Sequence, residues 1–227
     1  MRGDTALNKS VLTKELFFDV PKYLQELFER CKYAWQIIPE IKDVAAELLK
    51  QGIRGYSLIA DGVLVGENVS IAPTATIIGP CIIGEGSELR PGAYIRGNVI
   101  IGKNCVVGNS CELKNCILLD FCQVPHYNYI GDSVLGNHCH MGAGAICSNL
   151  KADGTSVVVR AECSYDTALR KMGAIVADYA DVGCGCVLNP GTVIGRGTSV
   201  YPLTSLRGVV ASGCIVKSAD NIIVRRQ

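Results

Sequence analysis

The sequence predicts an all-β core wound as a coil of short parallel strands, preceded by a small helical segment. Three observations carry this. Every sixth residue from Val65 to Leu119 is aliphatic: Val65, Ile71, Ile77, Ile83, Leu89, Ile95, Ile101, Val107, Leu113 and Leu119. Four residues after each anchor runs a second inward stripe of small or apolar residues. It begins at Val69, Ala75 and Cys81, continues through Ser87, Ala93, Val99, Cys105 and Cys111 to Ile117, and meets Gln123 at its end. Three residues after several anchors stand Asn68, Gly86, Gly92, Asn98 and Asn104, whose tolerance of positive φ marks them as corners. Gly66, Gly84, Gly102 and Gly108 directly follow their anchors, a glycine density that breaks any helix of 3.6-residue period. The unit is strand, corner, strand, with backbone hydrogen bonds running to the next coil.

The elements follow in order. Residues 1–13 read as a polar tail. Asp19 followed by Pro21 reads as an N-cap and first helical turn, with Leu24, Leu27, Phe28 and Cys31 on one face. Pro39 opens a second helix, with Ile41, Val44, Ala45, Leu48 and Leu49 at helical spacing and Gly52 as its stop. The aromatic residues Phe17, Phe18, Tyr23, Phe28, Tyr33 and Trp35 form the packing core of this unit, residues 1–58. It is expected to cover the open end of the coil or to flank a cleft. The coil occupies 59–216. Its hexads resume after residue 134 with Leu135, Met141 and Cys147, then Val176, Val182, Leu188, Ile194, Val200 and Leu206. Residues 149–173 break the period and are expected to project as a loop or arm. The tail, 217–227, is β-prone and then basic at Arg225 and Arg226, and is expected to dock on the helix or on a neighbouring subunit.

Composition narrows the function. The net charge is +1, from 22 basic and 21 acidic residues, without a run of like charge suited to nucleic acid or a membrane surface. No apolar stretch reaches about 18 residues, and the N-terminus has no apolar signal core, so the chain reads as cytoplasmic. Of twelve cysteines, Cys81, Cys105 and Cys111 lie on the inward stripe as small hydrophobes. Cys184 and Cys186 are spaced CxC and no CxxC occurs, which favours reduced structural thiols over zinc or disulfides.

Irregularity in a repeat is where chemistry is sought. The period breaks again at DFCQVPHYNYIGDSV, residues 120–134. There His126 is either a general base, since imidazole titrates near neutrality, or a turn histidine bonded to backbone.

The hexad period resembles that of the hexapeptide-repeat acyltransferases, in which three hexads make one triangular coil of a left-handed parallel β-helix. More specifically, CELKNC (111–116), PHYNYIGD (125–132) and HMGAGAICSN (140–149) resemble one member group. This is the acetyltransferase domain of bifunctional glucosamine-1-phosphate acetyltransferase/UDP-N-acetylglucosamine pyrophosphorylase, together with its stand-alone relatives. That domain reads approximately IKN…NHLxYIGD…NIGAGTxxxN.

The resemblance implies an acetyl-CoA-dependent N-acetyltransferase acting on an amino-sugar phosphate or nucleotide amino sugar, assembled as a homotrimer with sites between subunits. It assigns His126 as base, Tyr129 as a sugar contact, and Lys114 and Arg96, three hexads apart, as a phosphate clamp. Arg90, in LRPGA, is the competing arginine. His140 stands where the group has a sugar-binding asparagine. Ala143, Asn149, Cys184 and Pro202 match acetyl-CoA positions, and the amides of GAGA (142–145) are candidate donors to the thioester or pantetheine. No GxGTR-like segment occurs, so nucleotidyltransferase activity is not expected. Two rivals share the fold. One is a non-catalytic trimerisation or sensor module. The other is a carbonic anhydrase-like metalloenzyme, which needs ligand geometry from His126, His138 and His140.

Overall fold

A strand whose two faces are both buried reads as an unbroken apolar run, whereas one with a wet face alternates. Both kinds occur here and they organise the molecule. The computed structural model describes residues 9–225; residues 1–8 and 226–227, with Arg226, lie outside the described residues. The chain forms a left-handed parallel β-helix with a helical segment before it. Each coil lays one short strand on each of three faces. The first face includes Val63–Gly66, Cys81–Ile83, Val99–Ile101, Ala174–Val176 and Thr192–Ile194. The second includes Glu88–Leu89, Val106–Asn109, Gln123–His126 and His140–Met141. The third includes Thr76–Ile78, Tyr94–Arg96 and Ile146–Cys147. Glu112–Leu118 and Tyr129–Leu135 each serve the third face and then the first.

The inward anchors from Val65 to Leu113 behave as expected: Ile83, Leu89, Ile95, Ile101, Val107 and Leu113 share the core inside the coil. The expected corners are also real, with φ of 56° at Asn68, 70° at Gly86 and 52° at Asn104. The strict period then fails at its last member. Val99 pairs with Cys116, and Cys116 with Ser133, so each of these coils is one residue short of three hexads. The cause is local. Gly97 and Asn98 together make the corner between the third and first faces, whereas Asn115 alone, and Asp132 alone, make it in the next two coils, each with φ 47°. Residues after each of these corners move up by one. Leu118 replaces Leu119 inside, Cys122 replaces Gln123, and Ile117 and Leu119 turn outward.

The helical unit lies against a side of the coil rather than over its end. Leu16, Trp35, Ile38, Ile41 and Ala45 pack on the outward residues of the first face, Leu64, Ile82, Ile100, Ile117 and Val134. Asp19 is not an N-cap. It has φ 49°, and a 3-10 turn, Lys22–Leu24, precedes the helix Gln25–Arg30. Pro39 sits within a 3-10 segment, Ala34–Glu40, ahead of the helix Ile41–Gln51, which Gly52 ends at φ 74° as expected. The helical unit is fastened by Asp178, 1% exposed, whose carboxylate accepts from the amides of Phe18 and Asn137, both at 2.7 Å. At each end one edge strand is paired with an antiparallel strand instead, Val63–Gly66 with Tyr56–Ala60 and Cys214–Ser218 with Asn221–Val224 of the tail, which blunts those two edges.

The excursion after Asn149 folds back rather than projecting. Its hairpin, Val158–Arg160 with Ser164–Asp166, buries Val157 and Val159 in the outer cluster and sets Tyr165 against Tyr33 and Trp35. On the corner between the first and second faces, Phe121, His138 and Tyr179 all adopt positive φ. Their rings stack at 4.6 and 4.8 Å, so that His138 is a member of an aromatic ladder. Among the described residues no helix is long and apolar enough to cross a membrane.

All twelve cysteines are unpaired and ten are buried, leaving Cys163 and Cys184 exposed. Desolvation pushes the thiols of Cys81, Cys105, Cys139 and Cys147 up to about 12, far from the thiolate form that reacts. A thiol titration of the native protein is therefore expected to show two fast cysteines per chain, with the remainder reacting only on denaturation. Fast modification of the inward Cys105 or Cys111 contradicts the register.

Candidate functional site

Covering the first face leaves the second and third faces and the corner between them open. His126 ends its second-face strand at that corner, opposite Asn109 of the coil before. Its side chain is exposed and has no hydrogen-bond partner among the described residues. Its backbone is held on both sides: its amide donates to Asn128 Oδ1 at 3.1 Å, and its carbonyl accepts from Gly144 at 2.9 Å. Gly185 in turn donates to the Ala143 carbonyl at 2.8 Å, and Leu203 to the Cys184 carbonyl at 2.9 Å. These bonds stack His126, Ala143, Cys184 and Pro202 in one column, although each lies at least a full coil of chain from the next.

The GAGA amides divide in a way the sequence does not show. Gly142 donates to Val182, Gly144 to His126 and Ala145 to Gly142. Of the four, Ala143 alone has no acceptor among the described residues. The Cys184 amide directly above it has none either, and Pro202, next in the column, has no N–H to satisfy. The expected set of donors thus contracts to Ala143, with Cys184 beside it.

The corner is fixed by Asn128, which sequence reasoning did not single out. It is 2% exposed, donates to the carbonyls of Gly142 at 2.7 Å and Ala145 at 3.1 Å, and accepts from His126. In the inward stripe it follows Cys111 and precedes Ala145. A lone asparagine among small residues is the signal, but it lines up only once the shortened coils are known.

Beyond the corner the third face carries Tyr129 and the two predicted cations. The register sets Glu112 opposite Tyr94 on one side and Tyr129 on the other, with Lys114 opposite Gly131. Arg96 and Lys114 occupy the same outward row on consecutive strands, as their spacing of three hexads predicts. Neither is unpaired. Arg96 donates to Glu112 at 2.6 Å. Lys114 lies 3.2 and 3.3 Å from the two oxygens of Asp132. Asp132 is a hub, its side chain only 6% exposed, and it also accepts from Asn115 at 2.9 Å and from Asn149. Asn149 donates as well to the Tyr129 hydroxyl at 3.1 Å. Burial, and then the Asp132 charge, push that phenol above its ordinary value, so it remains a neutral hydrogen-bonding group. Asn149 is therefore placed with Tyr129 and Asp132 on the third face, apart from the Ala143–Cys184–Pro202 column.

Two nominated residues lie elsewhere. His140 is on the second face and contacts Asp181 at 2.8 Å, around the corner from Tyr129 and Lys114. Arg90 pairs with Glu88 at 3.1 Å, in a second-face strand. The three histidines occupy separate places, and among the described residues no three His, Cys, Asp or Glu side chains converge as a metal site.

Residues 77–169 match the family described as the GMPPB C-terminal domain. The bifunctional protein GlmU of Methanococcus aeolicus is 34% identical over 179 residues, 71% of this chain and 42% of that protein. GlmU of Methanococcus maripaludis is 32% identical over 125 residues, 55% of this chain and 30% of its own length. A bifunctional sugar-1-phosphate nucleotidylyltransferase/acetyltransferase of Sulfurisphaera tokodaii is 32% identical over 97 residues, 42% of this chain and 24% of its own. The chain thus spans under half the length of these curated relatives.

The YIGD segment has a steric reason for its glycine. A Cβ on Gly131 meets the Tyr129 hydroxyl and, at 2.8 Å, Asn149 Nδ2, because the tyrosine leans across Gly131 to reach Asn149. Gly131→Ala is expected to break the Tyr129–Asn149 bond and cost about 0.5–1.5 kcal/mol in urea unfolding. With Tyr129→Phe the two losses should be less than additive, since they remove the same bond.

Proposed function

We propose that this homologue of the GlmU-type bifunctional proteins transfers the acetyl group of acetyl-CoA to the amine of an amino-sugar phosphate or nucleotide-linked amino sugar. The observation that carries the reading is the column at the open corner. An exposed imidazole, with no partner among the described residues, stands directly below two backbone amides that lack acceptors, those of Ala143 and Cys184. Acyl transfer needs these groups side by side: a base for the amine and fixed donors for the carbonyl oxygen. The word acetyltransferase in the name of the Sulfurisphaera relative supports the acyl group. The proposed reaction is acyl transfer alone.

In this reading His126 accepts a proton from the attacking amine. The nitrogen attacks the thioester carbonyl, and the oxygen gains charge as the tetrahedral intermediate forms. The Ala143 amide donates to that oxygen or to the adjoining pantetheine. Collapse breaks the C–S bond, and the His126 imidazolium returns its proton to the departing thiolate. Tyr129 contacts the sugar, and its geometry is kept by Asn149. Arg96 receives the acceptor's anionic group, with Lys114 beside it. Asn149 reaches the cofactor only through this acceptor-side cluster, and His140 serves the acceptor only from the second face. We propose further that the protein works in the cytoplasm as a homotrimer, with the exposed corner of one subunit completed by another.

His126→Ala is expected to leave unfolding and acetyl-CoA binding unchanged and to lower kcat by about 10²–10⁴-fold, read by thiol release with a panel of amino sugars and their phosphates. A variant within a few-fold of the parent rejects His126 as base. A parent that acetylates none of the panel favours the non-catalytic module.

A further inference from the structure

The two ion pairs on the third face are not equivalent. Lys114 is matched to a nearly buried carboxylate that two asparagine side chains also hold. Moving Lys114 away leaves that charge buried and unpaired, which is costly. Arg96 is matched to Glu112, and their side chains are 42% and 32% exposed. Among the described residues Glu112 has no side-chain partner but Arg96. A solvent-exposed pair of this kind contributes little, so another oxyanion exchanges for the carboxylate at little cost. Glu112 also sits opposite Tyr94 and Tyr129 on the flanking coils, within the outline of the acceptor site. A phosphoryl group offers more charge and more oxygens to the guanidinium than a carboxylate does.

We propose that Glu112 is a specificity-determining residue: its carboxylate occupies Arg96 in the absence of acceptor and is displaced by the acceptor's anionic group. The inference rests on the acceptor-site reading above. Displacement leaves Glu112 beside the incoming phosphoryl group, where like charges repel. Binding of an anionic acceptor is therefore weaker than Arg96 and Lys114 alone provide. An acceptor without an anionic group leaves the Arg96–Glu112 pair in place and gains nothing from it. Asp132 does not exchange, because it is enclosed by Lys114, Asn115 and Asn149.

The test is Glu112→Gln, nearly isosteric and on a half-exposed strand position. Its KM for a phosphorylated amino sugar should fall about threefold or more, the scale of one exposed ion pair. KM for the same sugar without phosphate, and for acetyl-CoA, should stay within about twofold of the parent by the same scale. Adding Arg96→Ala should abolish the gain. An unchanged or higher KM for the phosphorylated acceptor overturns the proposal. A second readout does not require turnover: inorganic phosphate, at constant ionic strength, should raise Tm more in Glu112→Gln than in the parent. If the parent acetylates no amino sugar while this difference appears, the acetyltransferase reading fails and the exchange at Arg96 stands. If phosphate stabilises both proteins equally, the exchange fails whether or not acetylation occurs.

Discussion

Everything in this molecule depends on one coil lying squarely on the next. In a parallel stack the hydrogen-bonding partners are about 4.8 Å apart, and they hold each strand residue opposite a fixed residue of its neighbour. A change in coil length cannot be absorbed within a strand, because a shift of one residue turns the whole inward stripe outward. It has to be absorbed at a corner. The two shortened corners, Asn115 and Asp132, meet that requirement. They fuse third-face and first-face strands into the continuous segments Glu112–Leu118 and Tyr129–Leu135. The same corners place Asn115 and Asp132 against Lys114 and Asn149, so the break in the period and the polar cluster have one origin.

The covering of the first face then decides where chemistry can occur. Its strands, such as CII, VII and AIV, are apolar on both sides. The helical unit packs on it, and so does the hairpin of the excursion. The base of that excursion is closed by Met172 donating to the Asn149 carbonyl and Gly173 to the Asp132 carbonyl. Asp132 thus joins the mouth of the excursion, through its backbone, to Lys114 and Asn149, through its side chain. A buried polar hub of this type is stable only when fully partnered, and Lys114, Asn115 and Asn149 all partner this one, whereas the Arg96–Glu112 pair is partly exposed.

The repeat is legible because packing inside a narrow coil is a local requirement, renewed at every hexad. Val65 to Leu113 and Leu135 to Leu206 can be assigned to the interior from the sequence, as can the Asn68, Gly86 and Asn104 corners and the Gly52 helix stop. Leu119 and Gln123 are misplaced by the pattern because their periodicity continues unbroken through residues 114–119, and nothing in it announces that a corner has lost a residue. The excursion hairpin and the helices stand out as departures from the repeat. Their docking on the first face does not, since two apolar surfaces attract without naming each other.

By itself the sequence determined the coil, its inward residues and the segments in which irregularity gathers polar groups, because each follows from spacing along one strand and its corner. Only the tertiary structure decided the rest. It set which amides of GAGA are occupied, that His140 lies on the second face against Asp181, and that Arg96 and Lys114 already hold carboxylates. Those facts depend on successive coils, distant from one another along the chain, being brought within hydrogen-bond reach. Such contacts are set by the summed lengths of everything between them, a quantity that no local pattern records.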